Sequence, residues 1–397
     1  MSDQQNGDGR HRSGPYRQWG PAVSLLVVAL AVAGTLLLSG EDEVRLNTLR
    51  PAERICDASA APPIASLGDL DAPEALLFGD EIVHLPPAAA ERVRFWIERF
   101  GDSRFRDRLQ RYFHRVHVRA PEVRPVLREA GVPEEMLYLM LVESGGNPEA
   151  VSSARAVGMW QFMAHTARDM DLSVTPYFDT RRQPEASTRA AARYLKQMYD
   201  EFGSWWLAMA AYNAGPSRVR GALRRAPGAD YFELSDRKLL PPSTREYVPK
   251  TIAALLIGRD PVRWGFDASF VRQTPRRFGR LTVASGTTWE ALAEATEVPE
   301  GWLRRLNPEY PLDLVVAPDS ARVLVPRGRA RHADGRLASM PEDRRLGMLR
   351  HTVRPGETLG EIAARYGMPL DRVLAINDRV DPRRLSIGQQ LHIPAGR

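Results

Sequence analysis

The sequence has 397 residues, 43% of them hydrophobic and 26% charged, a balance that excludes a disordered or fibrous chain and favours two or three globular domains. The formal net charge of +6 comes from Arg and Lys scattered along the chain rather than packed into one stripe. Nucleic acid is therefore not an expected partner, and an acidic polymer or a membrane surface suits the charge equally well. The one cysteine, Cys56, cannot form an internal disulfide, and the eight His are dispersed without zinc-site spacing, so neither a structural metal nor a cofactor is expected.

In chain order, residues 1–19 are polar and read as a disordered tail. Residues 20–40 contain the uncharged run PAVSLLVVALAVAGTLLL, preceded by Arg10, Arg12 and Arg17 and followed by Glu41, Asp42 and Glu43. The run is near the lower limit for spanning a bilayer, and the flanking charge puts the tail in the cytoplasm and the rest of the chain outside. Without an Ala-x-Ala-like site close behind it, the run reads as an uncleaved anchor, with a cleaved signal peptide as the alternative. Residues 41–85, with AAPP, LDAPEA and HLPP, read as a linker.

From 86 to 260 the pattern is helical. ERVRFWIERF and RDRLQRYFHRV place apolar residues at three- and four-residue steps. In GVPEEMLYLMLVESGG, apolar residues from Met136 to Val142 cover nearly every face of a helix, which predicts burial, and Glu143 ends it. A carboxyl at that position is either paired or shifted in pKa. Apolar surroundings raise a carboxyl pKa, and an acid still protonated near neutral pH can protonate a glycosidic oxygen. The competing reading is a helix-terminal Glu satisfied by local amides or an Arg, and the residues alone leave both open. Farther on, Pro184 opens a helix with Ala191, Tyr194, Leu195 and Met198 on one stripe. SWWLAMAAYNAG is a short apolar helix that ends at a glycine and belongs in the core.

After Pro261 an internal repeat appears. Thr282, Gly286, Thr288, Pro299 and Asn307 recur at a constant offset of 70 as Thr352, Gly356, Thr358, Pro369 and Asn377. Each copy closes with a short apolar run ending in proline, at Pro326 and Pro394, and reads as strand, turn, helix, helix, strand. The copies are expected at 280–326 and 350–395, with 327–349 as a charged linker. The second copy, HTVRPGETLGEIAARYG through LSIGQQLHIP, resembles a LysM module, which implies binding to N-acetylglucosamine-containing glycans. The first is degenerate: Trp289 stands where the second has Leu359, and the glycine of SIGQQL is missing.

Glu143-Ser144, AVGMWQF at 156–162 and AAYNAG at 210–215 resemble three signature motifs of lysozyme-like lytic transglycosylases. REYVPK at 245–250 resembles the fourth motif of the membrane-bound type D subgroup, which also carries LysM modules. The resemblance implies a mainly α, lysozyme-like catalytic domain followed by small α+β modules. It makes Glu143 the sole acid/base and implies substrate-binding roles for Ser152, Met159, Gln161, Tyr212, Asn213 and Tyr247. Ser152 would sit near the substrate N-acetyl group or the catalytic carboxyl, Met159 would wall the cleft and Gln161 would bind a sugar. A Tyr hydroxyl near Glu143 would position it, and for Tyr247 packing is an equal alternative. Trp160 and Phe162 read as core, and Ser144 as a turn residue. The motifs supply one carboxylate where most glycosidases need two. The expected reaction is therefore cleavage of peptidoglycan strands with an intramolecular 1,6-anhydromuramic end, on the periplasmic side of the cell envelope. A water-using muramidase and a non-catalytic glycan-binding protein are the alternatives.

Overall fold

A computed structural model describes residues 75–79, 81–271, 278–316, 320–377 and 380–394. The expected tail, the apolar segment and most of the 41–85 linker lie outside the described residues. Among the described residues, no helix is long and apolar enough to cross a membrane.

The chain begins with an antiparallel hairpin, β1 (Ala75–Phe78) and β2 (Glu81–His84). Seven of the nine helices that follow are α1 (Pro87–Gly101), α2 (Ser103–Glu129), α3 (Leu137–Ser144), α4 (Ala164–Asp169), α5 (Pro184–Phe202), α6 (Trp205–Ala214) and α7 (Pro216–Arg225). The last two are α8 (Tyr231–Asp236) and α9 (Pro242–Arg259). One hydrophobic cluster joins all of them, from Leu76 in β1 to Phe270. This core is wider than the expected 86–260 at both ends, because Leu76, Phe78 and Leu85 pack into it from what reads as linker and Phe266 and Phe270 from beyond α9.

The apolar runs become the centre of this core. Leu137 to Leu141 of α3 are all buried, as are Leu207 to Ala211 of α6. Each large side chain so buried contributes roughly 1.5–3 kcal/mol. Ala191, Leu195 and Met198 of α5 are buried, and Tyr194 packs partly exposed against them. Gly145 caps α3 in the left-handed region at φ 62. A Cβ there would lie 2.5 Å from the Tyr112 ring, so glycine is required on both counts.

Helix α9 carries a proline in its interior, Pro249. A proline has no N–H to give to the carbonyl four residues earlier, here that of Arg245. The hydroxyl of Tyr231 in α8 lies 2.9 Å from that carbonyl oxygen and 3.0 Å from that of Thr244. A side chain from a neighbouring helix thus fills the gap that the proline opens.

Both repeats fold as strand, two helices, strand. In the first, β3 (Phe278–Ala284) leads through β4 (Thr287–Thr288), α10 (Trp289–Thr296), α11 (Glu300–Leu306) and β5 (Leu314–Val315) to β6 (Ser320–Pro326), antiparallel to β3. After it come α12 (Ala330–Ser339) and α13 (Glu342–Arg345). The segment expected as a charged linker is thus helical, and α12 buries Ala333 and Leu337 against the first repeat. The second repeat is β7 (Met348–Thr352), α14 (Leu359–Arg365), α15 (Leu370–Ile376) and β8 (Gln390–Pro394), with β7 antiparallel to β8.

The matched residues do matched work. Gly286 and Gly356 turn the chain at φ 93 and 79. Thr288 and Thr358 cap α10 and α14 through their hydroxyls. Asn307 donates to the carbonyls of Leu303 and Leu324 and accepts from the amide of Leu324. Asn377 repeats this with Val373 and His392. One buried amide in each copy fastens the second helix to the closing strand.

Substituting Tyr231 with Phe should lower the stability of the helical core by roughly 1–3 kcal/mol, the cost of a buried carbonyl left unmatched. Thermal unfolding of the full chain, followed by tryptophan fluorescence, measures it. An unchanged midpoint would show that α9 does not rely on this hydroxyl.

Candidate active site

The site is assembled from the C-terminal end of α3, the turn at 156–162, and helices α6 and α9. Glu143 lies in the last turn of α3, beyond the five buried residues Leu137 to Leu141 and the partly buried Val142. The residue keeps a partial opening to solvent, while protein atoms crowd its carboxyl. The hydroxyl of Tyr247 in α9 donates to Glu143 Oε1. Burial pushes the Glu143 carboxyl up to about 7; the Tyr247 hydrogen bond and the positive charge of Lys250 oppose that rise. A carboxyl so placed exchanges protons near neutral pH.

Tyr247 is buried, and both burial and the neighbouring Glu143 hold its phenol well above the ordinary range. Tyr212 in α6 is raised in the same way, by burial first and Glu143 second, and its hydroxyl donates to the carbonyl of Trp160 at 2.7 Å. Both phenols therefore stay protonated and act as donors. Asn213, next to Tyr212, accepts from Thr244 Oγ1 at 2.9 Å and ties α6 to α9.

The turn at 156–162 is held from both sides. Ser144, beside Glu143, donates from its hydroxyl to the Met159 carbonyl at 2.8 Å. Gly158 has φ 88, and a Cβ there would fall 1.9 Å from the carbonyl oxygen of Arg181, so no other residue fits without moving that backbone. Gln161 takes a positive φ of 51, with its amide 2.9 Å from the Gly158 carbonyl. Trp160 and Phe162 are core, as expected, and the Trp160 indole donates to Thr188 at 3.0 Å.

One expected role changes, and another residue gains a local partner. Met159, expected to wall the cleft, is fully buried, and only its backbone carbonyl takes part by accepting from Ser144. The Ser152 hydroxyl accepts from the amide of Ala156 at 3.0 Å, which makes it a fastener of its own turn. A hydroxyl that accepts one hydrogen bond can still donate another, so the contact near the substrate N-acetyl group or the catalytic carboxyl that the resemblance implies remains a proposal.

Lys250 does not stand out in the sequence reading, although it closes the REYVPK motif. It lies one helical turn beyond Tyr247, on the same face of α9, with Nζ 5.2 Å from the centre of the Trp96 ring. Burial lowers its pKa, against the pull of Glu143. Trp96 donates to Glu246 at 2.9 Å, and Glu246 pairs with Arg92. The signal for Lys250 was its three-residue spacing from Tyr247. Among the described residues, no group of three or more His, Cys, Asp or Glu is placed to hold a metal ion.

Comparison with known proteins places the chain in a family. Residues 126–234 match the model of the Transglycosylase SLT domain, and residues 351–394 match that of the LysM domain. The Membrane-bound lytic murein transglycosylase D of Escherichia coli K12 is 30% identical over 304 residues, 72% of this chain and 66% of that protein's length. Among solved structures, the chain is similar to the 70 kDa soluble lytic transglycosylase of Escherichia coli, at 23% identity and a TM-score of 0.32, over 46% of this chain and 32% of that one. A lytic transglycosylase of Pseudomonas aeruginosa gives 24% identity and a TM-score of 0.31, over 38% and 26%. These two overlaps are likenesses alone and carry no weight in assigning the chain. By its domain matches and its curated relative, the chain belongs to the lytic transglycosylase family with an SLT domain and a C-terminal LysM domain.

Proposed function

We propose that the protein cleaves the β-1,4 bond between N-acetylmuramic acid and N-acetylglucosamine in peptidoglycan, leaving a 1,6-anhydromuramic end, in cell-wall remodelling. The observation that carries this reading is the pairing of one raised carboxyl, Glu143, with a phenol donor, Tyr247. The described groups that act on the ionisation of Glu143 are Tyr247 and Lys250, and neither is a carboxylate. That fits a reaction in which the substrate itself, rather than a second carboxylate, completes the cycle.

The cycle begins with Glu143 protonated. Its proton passes to the glycosidic oxygen as the C1–O4 bond breaks, and the N-acetyl oxygen of the muramic residue stabilises the cation at C1. Glu143, now a carboxylate, is held by the Tyr247 hydroxyl and by the charge of Lys250. It then takes the proton of the C6 hydroxyl as that oxygen attacks C1. The proton has returned to Glu143, one C–O bond has broken and one has formed, and no water is consumed. The LysM domain is proposed to hold glycan near the cleft, which raises local substrate concentration. The apolar segment within 20–40 is proposed to tether the chain to the membrane, facing the periplasm.

Replacing Glu143 with Gln keeps the shape and removes the proton. Loss of a general acid typically costs about 10²–10⁴-fold, and here the same group also serves as base, so kcat should fall by at least 10³-fold with folding intact. More than a tenth of wild-type turnover in that variant would rule Glu143 out as the acid. Mass analysis of the wild-type product distinguishes the anhydro end from the muramidase alternative, whose product is heavier by one water.

Activity should decline as pH rises through about 7, where Glu143 loses its proton. The Tyr247 hydrogen bond stabilises the carboxylate, so Tyr247→Phe should move that alkaline limb to higher pH while lowering the plateau. A limb that moves to lower pH in the variant would contradict the assigned donor. Removing residues 348–397 should weaken retention on isolated sacculi and leave cleavage of short soluble glycans largely intact, because the second repeat has its own small core and meets the rest of the chain in a small cluster around Ile376. Equal retention with and without these residues would overturn that division of labour.

A further inference from the structure

The two repeats share a fold but use one loop differently. In the first repeat, part of the segment between α11 and β6 is buried: Glu309 is 1% exposed and Tyr310 4%, and Leu314 and Val316 are also buried, while Pro311 and Asp313 face solvent. In the second repeat, Arg384 and Ser386, which match Leu314 and Val316, are exposed, Val380 at the place of Tyr310 is partly buried, and Ile387 is 70% exposed. What covers the first loop is the helical domain itself. Phe178, between α4 and α5, stacks on Tyr310 with ring centres 5.2 Å apart. Tyr177 joins Leu314, Val316 and Ile376 of the second repeat in a separate buried cluster. The Asp179 amide donates to the Glu309 carbonyl at 2.9 Å, and the Gln183 side chain donates to Glu309 Oε1 at 3.2 Å.

The same loop of the helical domain supports the 156–162 turn. Asp179 holds Arg181 through two hydrogen bonds of 2.9 and 2.7 Å, in an ion pair whose side chains are 9% and 8% exposed. Arg181 donates to the Phe162 carbonyl at 3.2 Å, and its own carbonyl is the atom against which Gly158 is packed. The next link, from Ser144 to the Met159 carbonyl, ends beside Glu143. These are short, buried, directional contacts, and each fixes the backbone of the next.

We propose that the first repeat is a docked buttress of the active-site turn, and that Glu309 is the positioning residue that holds it in place. The repeat acts on the cleft through Asp179 and Arg181. The catalytic part of this inference rests on the reading of Glu143 as the acid; the docking part does not.

Glu309 gives the docking a pH dependence. Burial raises its carboxyl to about 7, against the opposing hydrogen bonds of its own backbone and Gln183. Its Oε2 is buried without a hydrogen-bond partner among the described groups. The charged groups on the elements around it are engaged elsewhere. Asp179 pairs with Arg181, Arg182 donates to the Glu149 carbonyl, Glu185 pairs with Arg189 and Arg280, Arg304 pairs with Glu300 and Asp313, and Arg305 is exposed. The Tyr310 hydroxyl lies 3.4 Å from the Arg322 carbonyl. A carboxyl whose docked pKa lies above its free value favours docking while it is protonated. Docking therefore weakens as pH rises from the ordinary glutamate range to about 7 and levels off above that, by on the order of 10²-fold in all.

The test uses the full chain. Hydrogen–deuterium exchange over the Asp179–Gln183 segment, corrected for intrinsic rates, reads docking. Turnover of a short soluble peptidoglycan fragment, followed as anhydro product, reads the cleft. Glu309→Lys should lose at least tenfold in protection at every pH and in kcat, with KM changing less. Phe178→Ala removes the stack without touching the carboxyl; it should lose protection by a similar factor while keeping the pH dependence, and it serves if the lysine variant fails to fold. Glu309→Gln, a neutral stand-in, should dock as well as the wild type at low pH and keep its protection as pH rises. Unchanged protection in both Glu309→Lys and Phe178→Ala would overturn the docking. Lost protection with wild-type kcat would overturn the buttress. Because exchange is read without turnover, a failure of Glu143 as the acid leaves the docking result standing on its own.

Discussion

The structure depends on holding one carboxyl at the margin of an apolar core. An ionised carboxylate is costly to bury, and a fully solvated one keeps its ordinary pKa and remains a poor proton donor at neutral pH. Glu143 lies between these limits because α3 runs through the core and ends as the chain reaches the surface. The glycine cap stops the helix there, and the Tyr112 ring lies against that cap so closely that no side chain fits. Helix α9 supplies both moderating groups, the phenol of Tyr247 and the charge of Lys250. The position of α9 thus fixes the chemistry of α3, and the packing of α1, α6 and α8 against α9 is part of the site.

Much of this is legible in the residues, for identifiable reasons. An apolar run with a Glu at its end announces a carboxyl at a core boundary, and the structure places Glu143 there. The repeat is legible because its fold needs a glycine turn, a threonine cap and an asparagine fastener at fixed spacing, and both copies use all three. The less legible features depend on contacts between segments distant in sequence. Met159 sits in a motif with chemistry-bearing neighbours, and only the three-dimensional packing shows that its side chain faces inward. Ser152 gives no sign in the sequence that its hydroxyl also serves the Ala156 amide within its own turn. The segment at 327–349 is rich in charge and reads as linker, yet Ala333 and Leu337 are enough to seat α12. Glu309 carries no local signal, since its setting is built by residues more than a hundred positions earlier in the chain.

The two repeats show how one scaffold diverges through a single loop. The strands, helices, caps and buried Asn are retained in both. What differs is the segment before the last strand, apolar with Tyr310, Leu314 and Val316 in the first copy and charged with Asp381, Arg383 and Arg384 in the second. Apolar residues there suit a packed neighbour, and charged ones suit water or a polar ligand. Trp289, where the second copy has Leu359, fits the same division: its indole donates to the Leu312 carbonyl at 3.0 Å and so braces the loop from behind.

The proline in α9 bears on how this protein tolerates change. Pro249 leaves the Arg245 carbonyl to be served by Tyr231, so the two residues are not independent in sequence. A chain with Ala at 249 regains the helical N–H, and its Arg245 carbonyl no longer needs the phenol. Losing the tyrosine is therefore costly beside the proline and mild without it. Positions 231 and 249 form an epistatic pair, and the route by which either can be replaced runs through the proline first.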